Sequence, residues 1–375
     1  MDITSPAMPQ AKEDAAPPNS SATLVLSTMA EPGIHTHGEI FQQPGIWADT
    51  VGRVRASGVG GIVNPVLTGA GSSAYAAMAI EAAWPGSRAV PSTELLLDFP
   101  QYLGPEGVLI SLARSGDSPE SVALVEKIRR ALPGVRHIAL TANPQGRLAT
   151  WQGIEAILLD PRTNDRSLVM TSSFSNLVMG GLALARPDEV ASVLPALCGG
   201  WEARLEEHEA KARAIAQNPP PRAVVLASSP LFGVAREAAL KVIESTAGRI
   251  AALAETYLGL RHGPMSFVQP DTLVLAILSS DPARRRYEID LVKELRAKKL
   301  GRLIALGAAD GEAGLFDEVV TTGASGLADY LRTPAEIVFP QLLAFHLGLR
   351  LGLNPDSPSP GGVIHRVVEG VIIYD

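Results

Sequence analysis

GVLISLARSGDSPESVALVEKI, residues 107–128, runs from an apolar stretch (Gly107 to Leu112) through a hydroxyl-rich break into apolar residues at helical spacing. A near-continuous apolar run followed by an amphipathic helix marks a parallel strand, covered on both faces, and its crossover. Ser118-Pro119 supplies the helix start, with Ser at the N-cap and Pro at the first helical position. The chain repeats this plan. PVLTGAGSSAYAAMAIE (65–81) is echoed by AVVLASSPLFGVAREAALKV (223–242), and the opening stretch by DTLVLAILSSDPARRRYEIDLVKELR (271–296). VRHIALTANPQG (135–146) is echoed by GRLIALGAADGE (301–312). Three pairs in one order predict an α/β protein with two tandem doubly wound parallel sheets, each in a three-layer αβα sandwich. A helical segment from about Pro187 to Gln217 joins them. The expected boundaries are a flexible leader over 1–37, a first domain over 38–210 that binds the ligand, and a second over 211–375.

Composition narrows the function. A length of 375 residues suits two domains, and 46% hydrophobic residues suit a large buried core. The net charge of −7 argues against nucleic acid or an anionic membrane as a partner. Cys198, the single cysteine, can form neither an internal disulfide nor a zinc cluster, which fits a reducing compartment, the cytoplasm. The first 33 residues lack a basic start before an apolar block, so no signal peptide is expected. Residues 167–185 carry no charge and are long enough to span a bilayer. Their clustered hydroxyls, Gly180 and Gly181 indicate a buried helix instead.

Ligands of open α/β sheets sit beyond the carboxyl ends of the strands. Three strand ends in the first half are rich in hydroxyls: Ser72 and Ser73, Ser115 and Ser118, Thr171 and Ser172. A helix N-terminus offers free N–H groups and a positive dipole end, and Arg114 can add a charge-assisted pair. Together they form a cup for a monophosphate, provided Asp117 points away. Serines after a strand are also ordinary turn and capping residues. GAGSSA further matches G-x-G-x-x-A, a dinucleotide pattern that needs an acid about 20 residues on. Glu94 is near that distance but follows a Pro-broken segment, so a single phosphate suits the loops better.

In the second half, Glu237, Lys241 and Glu244 fall at i, i+4 and i+7 on one helix face. They could be a solvated stripe, but the rest of the helix is apolar or small, as in a buried element. Glu244 stands in the last turn before Gly248, where the helix dipole should raise its pKa toward that of a general base. His262, between Arg261 and a Gly-Pro turn, is a second candidate for proton transfer.

With EIFQQPGIW, TGAGSSA, ARSGDSPESV, TNDRSLVMTSSF, EAALKVIESTAG, LGLRHGPMSF and NPDSPSPGGVIHRVVEGVIIY in order, the chain from Gly38 onward resembles the sugar isomerase (SIS) domain proteins. It is most similar to the galactosamine-6-phosphate deaminase/isomerase type (AgaS), also labelled tagatose-6-phosphate ketose/aldose isomerase. The resemblance implies tandem flavodoxin-like SIS domains and conversion of a hexosamine 6-phosphate to a ketose 6-phosphate plus ammonium. It implies that Ser73, Ser115 and Ser118 hold the phosphate beside Ser72, with Thr171 and Ser172 lining the same pocket. Glu244 matches the family's base, Lys241 its neighbour, and His262 the ring-opening histidine supplied by the partner of a homodimer. No metal, nicotinamide or flavin is implied. Arg114 stands where the related glucosamine-6-phosphate synthases have glutamine. Those synthases also use a lysine near the C-terminus; here no lysine follows Lys299, and His365 and Arg366 are the tail's candidates. That absence, and the lack of a glutaminase domain, points to breaking an amino sugar down. The alternatives are glucosamine 6-phosphate as substrate, plain aldose/ketose isomerisation, or a sugar-phosphate sensor, which would usually carry a DNA-reading helix-turn-helix in front.

Overall fold

The computed structural model describes residues 31–307, 311–324 and 326–374, so most of the expected leader lies outside the described residues. Residues 32–375 form one compact unit. Five strands make the first sheet: β1 (Val66–Thr68), β2 (Arg88–Ala89), β3 (Val108–Ala113), β4 (Arg136–Thr141) and β5 (Ile154–Leu158). Their order is β2-β1-β3-β4-β5, and every pair is parallel. The second sheet contains β6 (Arg222–Leu226), β7 (Ala251–Glu255), β8 (Leu273–Ile277), β9 (Arg302–Leu306) and β10 (Glu318–Val320). It is also wholly parallel, in the order β10-β9-β8-β6-β7, so the two halves wind identically. The apolar runs are strands because both faces are covered; all five residues of β8 are buried.

Strand order reverses between β1 and β3, where Thr68 lies opposite Ser111. The loops leaving these strands therefore diverge and open a crevice at their carboxyl ends. The first leads into the helix Ser72–Glu81, the second into the helix Pro119–Ala131. Gly71, at φ 55° and ψ −127°, makes the turn into the first of these with a backbone few other residues adopt.

The helix Phe232–Ser245 of the second half packs on Ser72–Glu81 through bare backbone. A Cβ at Gly233 would lie 2.7 Å from the Ala79 nitrogen and 2.9 Å from the Tyr75 oxygen. This close approach aims the last turns of the second-half helix at the crevice of the first sheet. One core cluster runs through both halves, including Leu67, Phe174, Val225 and Phe339. The helices Pro187–Glu202 and Leu205–Ile215 fill the expected connecting segment. Ser172–Ala185 is a helix buried over nearly its whole length, and no helix among the described residues is long and apolar enough to cross a membrane. The helix Ile34–Phe41 begins inside the stretch read as leader. Its first turn is tied by Asp356, which accepts the backbone N–H of Thr36 at 2.7 Å, a contact 320 residues apart in sequence.

Candidate functional site

A cavity of about 350 Å³ opens at the β1/β3 crossover. Gly71, Ser72, Ser73, Arg114, Ser115 and Ser118 line it from the first half, and Glu244 enters from the second. The C-terminal tail forms another wall, with His365 and Arg366 among its residues. Ser118 occupies the N-cap of Pro119–Ala131, as expected, yet its side chain makes no capping bond and is left for the cavity. Asp117 turns away: its carboxylate accepts the backbone N–H of Arg147 at 2.8 Å. The acid that would have opposed an anion thus serves a neighbouring turn.

Arg114 is 6% exposed. Its Nη1 donates to the carbonyls of Ser167 (3.1 Å) and Leu168 (3.0 Å), and its Nη2 to that of Arg366 (2.9 Å). Burial pulls its pKa down to about 10, against the opposing pull of Asp165, so it remains cationic at neutral pH. Carbonyls satisfy donors without cancelling a full charge, which leaves the guanidinium suited to a phosphate.

At the other side of the cavity, Lys241 is sandwiched between two carboxylates. Its Nζ lies 3.3 Å from Glu237 Oε1, bonds Glu244 Oε2, and donates to the Ser72 hydroxyl at 3.3 Å. Burial alone would lower the ammonium's pKa, but Glu237 and Glu244 override it and hold the group charged. Burial, partly offset by Lys241, pushes the Glu237 carboxyl up to about 7. The stripe is therefore no solvated surface: Glu237 is fully buried and Lys241 nearly so. Burial thus creates an upward-shifted acid within the stripe, at Glu237.

Thr171 and Ser172 need correction. Neither lines the cavity, because the N-terminus of Ser172–Ala185 already holds an internal anion, Asp165. Its carboxylate accepts the backbone N–H groups of Thr171 (2.8 Å) and Ser173 (2.9 Å), and the Ser172 hydroxyl. That carboxylate occupies the place at the helix start that a ligand anion would take. His262 is exposed and does not line its own chain's cavity. Ser121, one turn beyond Ser118, does line it and was missed, as were Leu168, Met170 and Glu369. Only the i, i+3 relation of Ser121 to Ser118 could have flagged it. Among the described residues, no group of three or more His, Cys, Asp or Glu could hold a metal ion.

No protein-family model matches the chain. It is 38% identical to a Streptomyces coelicolor protein provisionally named D-galactosamine-6-phosphate deaminase AgaS, over 91% of this chain and 95% of the relative. A Shewanella protein (strain ANA-3) named D-galactosamine-6-phosphate deaminase AgaS is 33% identical over 99% of both chains. The crystal structure of tagatose-6-phosphate ketose/aldose isomerase from Escherichia coli superposes with a TM-score of 0.81 at 31% identity, covering 92% of this chain and 97% of that one.

Proposed function

The chain belongs to the AgaS family of D-galactosamine-6-phosphate deaminases, and from that membership we propose that it converts D-galactosamine 6-phosphate to tagatose 6-phosphate and ammonium. The observation that carries the reading is one cavity walled by the hydroxyl and arginine cup on one side and Glu244 on the other. A sugar phosphate anchored by its 6-phosphate in the cup presents its opposite end, C1 and C2, to groups from the second half.

His262, reaching the cavity from the partner subunit of a homodimer, moves a proton from the anomeric hydroxyl to the ring oxygen and opens the ring. Glu244 then takes the proton from C2 while the C2 ammonium passes one of its own to O1, leaving an enolamine, and Glu244 delivers its proton to C1. The product is an iminium at C2. Lys241, a buried cation touching Glu244, steadies negative charge developing nearby. Water adds to C2, ammonium leaves, and the ketose phosphate remains. Nothing in this sequence calls for a metal or a redox cofactor. A reducing, cytoplasmic setting accords with the lone half-buried Cys198.

The test is to incubate the protein with galactosamine and glucosamine 6-phosphates and follow ammonium. Release from the galactosamine epimer is expected. No ammonium from either hexosamine, with ketose formed only from a plain aldose 6-phosphate assayed beside them, would make it a plain isomerase, and release from glucosamine 6-phosphate alone would reassign the substrate. Glu244→Gln should lower kcat by at least about 100-fold while calorimetry still detects sugar-phosphate binding. Turnover at the parent's rate would remove Glu244 from its role as base.

A further inference from the structure

Behind the cup lie two buried carboxyl groups that this reaction does not use. Glu39, on the helix Ile34–Phe41, accepts the backbone N–H groups of Arg166 (2.5 Å) and Ser167 (3.2 Å), and its other oxygen takes the Ser167 hydroxyl. Asp165 is 1% exposed and collects four donors at the start of Ser172–Ala185, from Thr171, Ser172 and Ser173. Its own carbonyl receives Arg366 twice, from Nε at 3.0 Å and Nη2 at 2.7 Å. Arg114 closes the ring, donating to the carbonyls of residues 167–169 and to that of Arg366. Segment 165–170, which gives the cavity Leu168 and Met170, is thus held by two acids on one side and two arginines on the other.

We propose that Glu39 and Asp165 are positioning residues for the phosphosugar reaction, setting segment 165–170 and through it holding Arg114 and Arg366 at the rim of the cup. Neither lines the cavity, so neither touches substrate. This inference rests on the function proposed above. The charged groups around Glu39 are Asp165, Arg114 beyond the segment, and Asp356 at the start of its own helix, with Arg366 behind Asp165. Burial first, and Asp165 second, push the Glu39 carboxyl up to about 7. A raised folded-state value means the intact arrangement holds that proton preferentially. Its stabilisation is full below the ordinary carboxylate range and is lost as pH rises through about 7. Above that pH the Glu39 carboxyl ionises where burial disfavours its charge, and the segment loses that stabilisation.

The experiment measures KM for the sugar phosphate, and the affinity for inorganic phosphate by calorimetry, at pH 6 and pH 8. The parent, Glu39→Gln and Asp165→Asn are compared. Glutamine mimics the protonated acid, so the parent's KM should rise relative to that of Glu39→Gln between the two pH values. The ratio is read because the substrate's own second ionisation, near pH 6, acts on both proteins alike. Asp165→Asn strands buried donors and should raise KM about tenfold at both pH values, with a much smaller change in kcat. If the variants lose thermal stability while KM and phosphate affinity track the parent throughout, the two acids are merely structural and the proposal is overturned. Should Asp165→Asn fail to fold, the pH profile of Glu39→Gln decides alone. Phosphate affinity separates the two readings: it still reports on the cup even if the parent deaminates no hexosamine phosphate.

Discussion

Lys241 joins the two halves of the site, through Ser72 on one side and the carboxylates Glu237 and Glu244 on the other. At nearly zero exposure, a cation survives only with such partners, and its removal leaves Glu237 buried without a counter-charge. Lys241→Met should therefore cost about 3–5 kcal/mol in denaturant unfolding at pH 8. The sign of the pH dependence follows from Glu237, whose folded-state value is raised to about 7. Below that pH the acid takes up a proton and no longer needs the ammonium, so the penalty should shrink at pH 5.5. A loss independent of pH would show that packing, rather than charge, is what the substitution removes. The spacing of the three residues was legible in the sequence. Their burial was indicated by the apolar and small residues around them, but the bond from Lys241 to Ser72 was not, because a Glu–Lys–Glu stripe does not record what it faces.

The helix Pro119–Ala131 carries a capping signal that does not cap. A Ser N-cap replaced by Ala ordinarily costs about 0.5–2 kcal/mol through the lost side-chain bond. The Ser118 hydroxyl makes no such bond and lines the cavity. Ser118→Ala should consequently leave the melting temperature nearly unchanged while raising KM for the sugar phosphate. A variant that melts early and binds normally would return Ser118 to plain capping. The helix Ser172–Ala185 is the converse case. Its start has the same hydroxyl-rich look, yet Asp165 fills it. The two helix starts read alike because local sequence records the donors but not that the Asp165 carboxylate, six residues before Thr171, turns back onto one of them.

For the whole molecule, the central issue is how two similarly wound halves make one site. Gly233 lets the helix Phe232–Ser245 press its backbone on Ser72–Glu81 and bring Glu244 to the crevice of the first sheet. His262 stays outside its own chain's cavity, so under the proposed mechanism each site borrows this residue from a second copy. Two inactive variants, Glu244→Gln and His262→Asn, should then complement each other when co-expressed. Random pairing would restore about one quarter of parental activity, since half the dimers are mixed and each carries one intact site. Mixed preparations that stay as inactive as the separate variants would place His262 in its own subunit or outside catalysis.

Periodicity is a property of neighbours along the chain, and so the sequence by itself determined the alternation of apolar strands and amphipathic helices, the internal repeat and the hydroxyl loops at the strand ends. β3, β4, β6, β8 and β9 all appear within a few residues of where their apolar runs were read. The tertiary structure alone decided that the start of Ser172–Ala185 is filled by the Asp165 carboxylate, that Lys241 reaches Ser72, and that the tail walls the cavity. Two of these contacts span long stretches of chain, 169 residues from Lys241 to Ser72 and 252 from Arg114 to Arg366, while Asp165 turns back over six residues onto Thr171. A charge's partner, and hence its protonation, is set by what folding brings beside it, which no local pattern records.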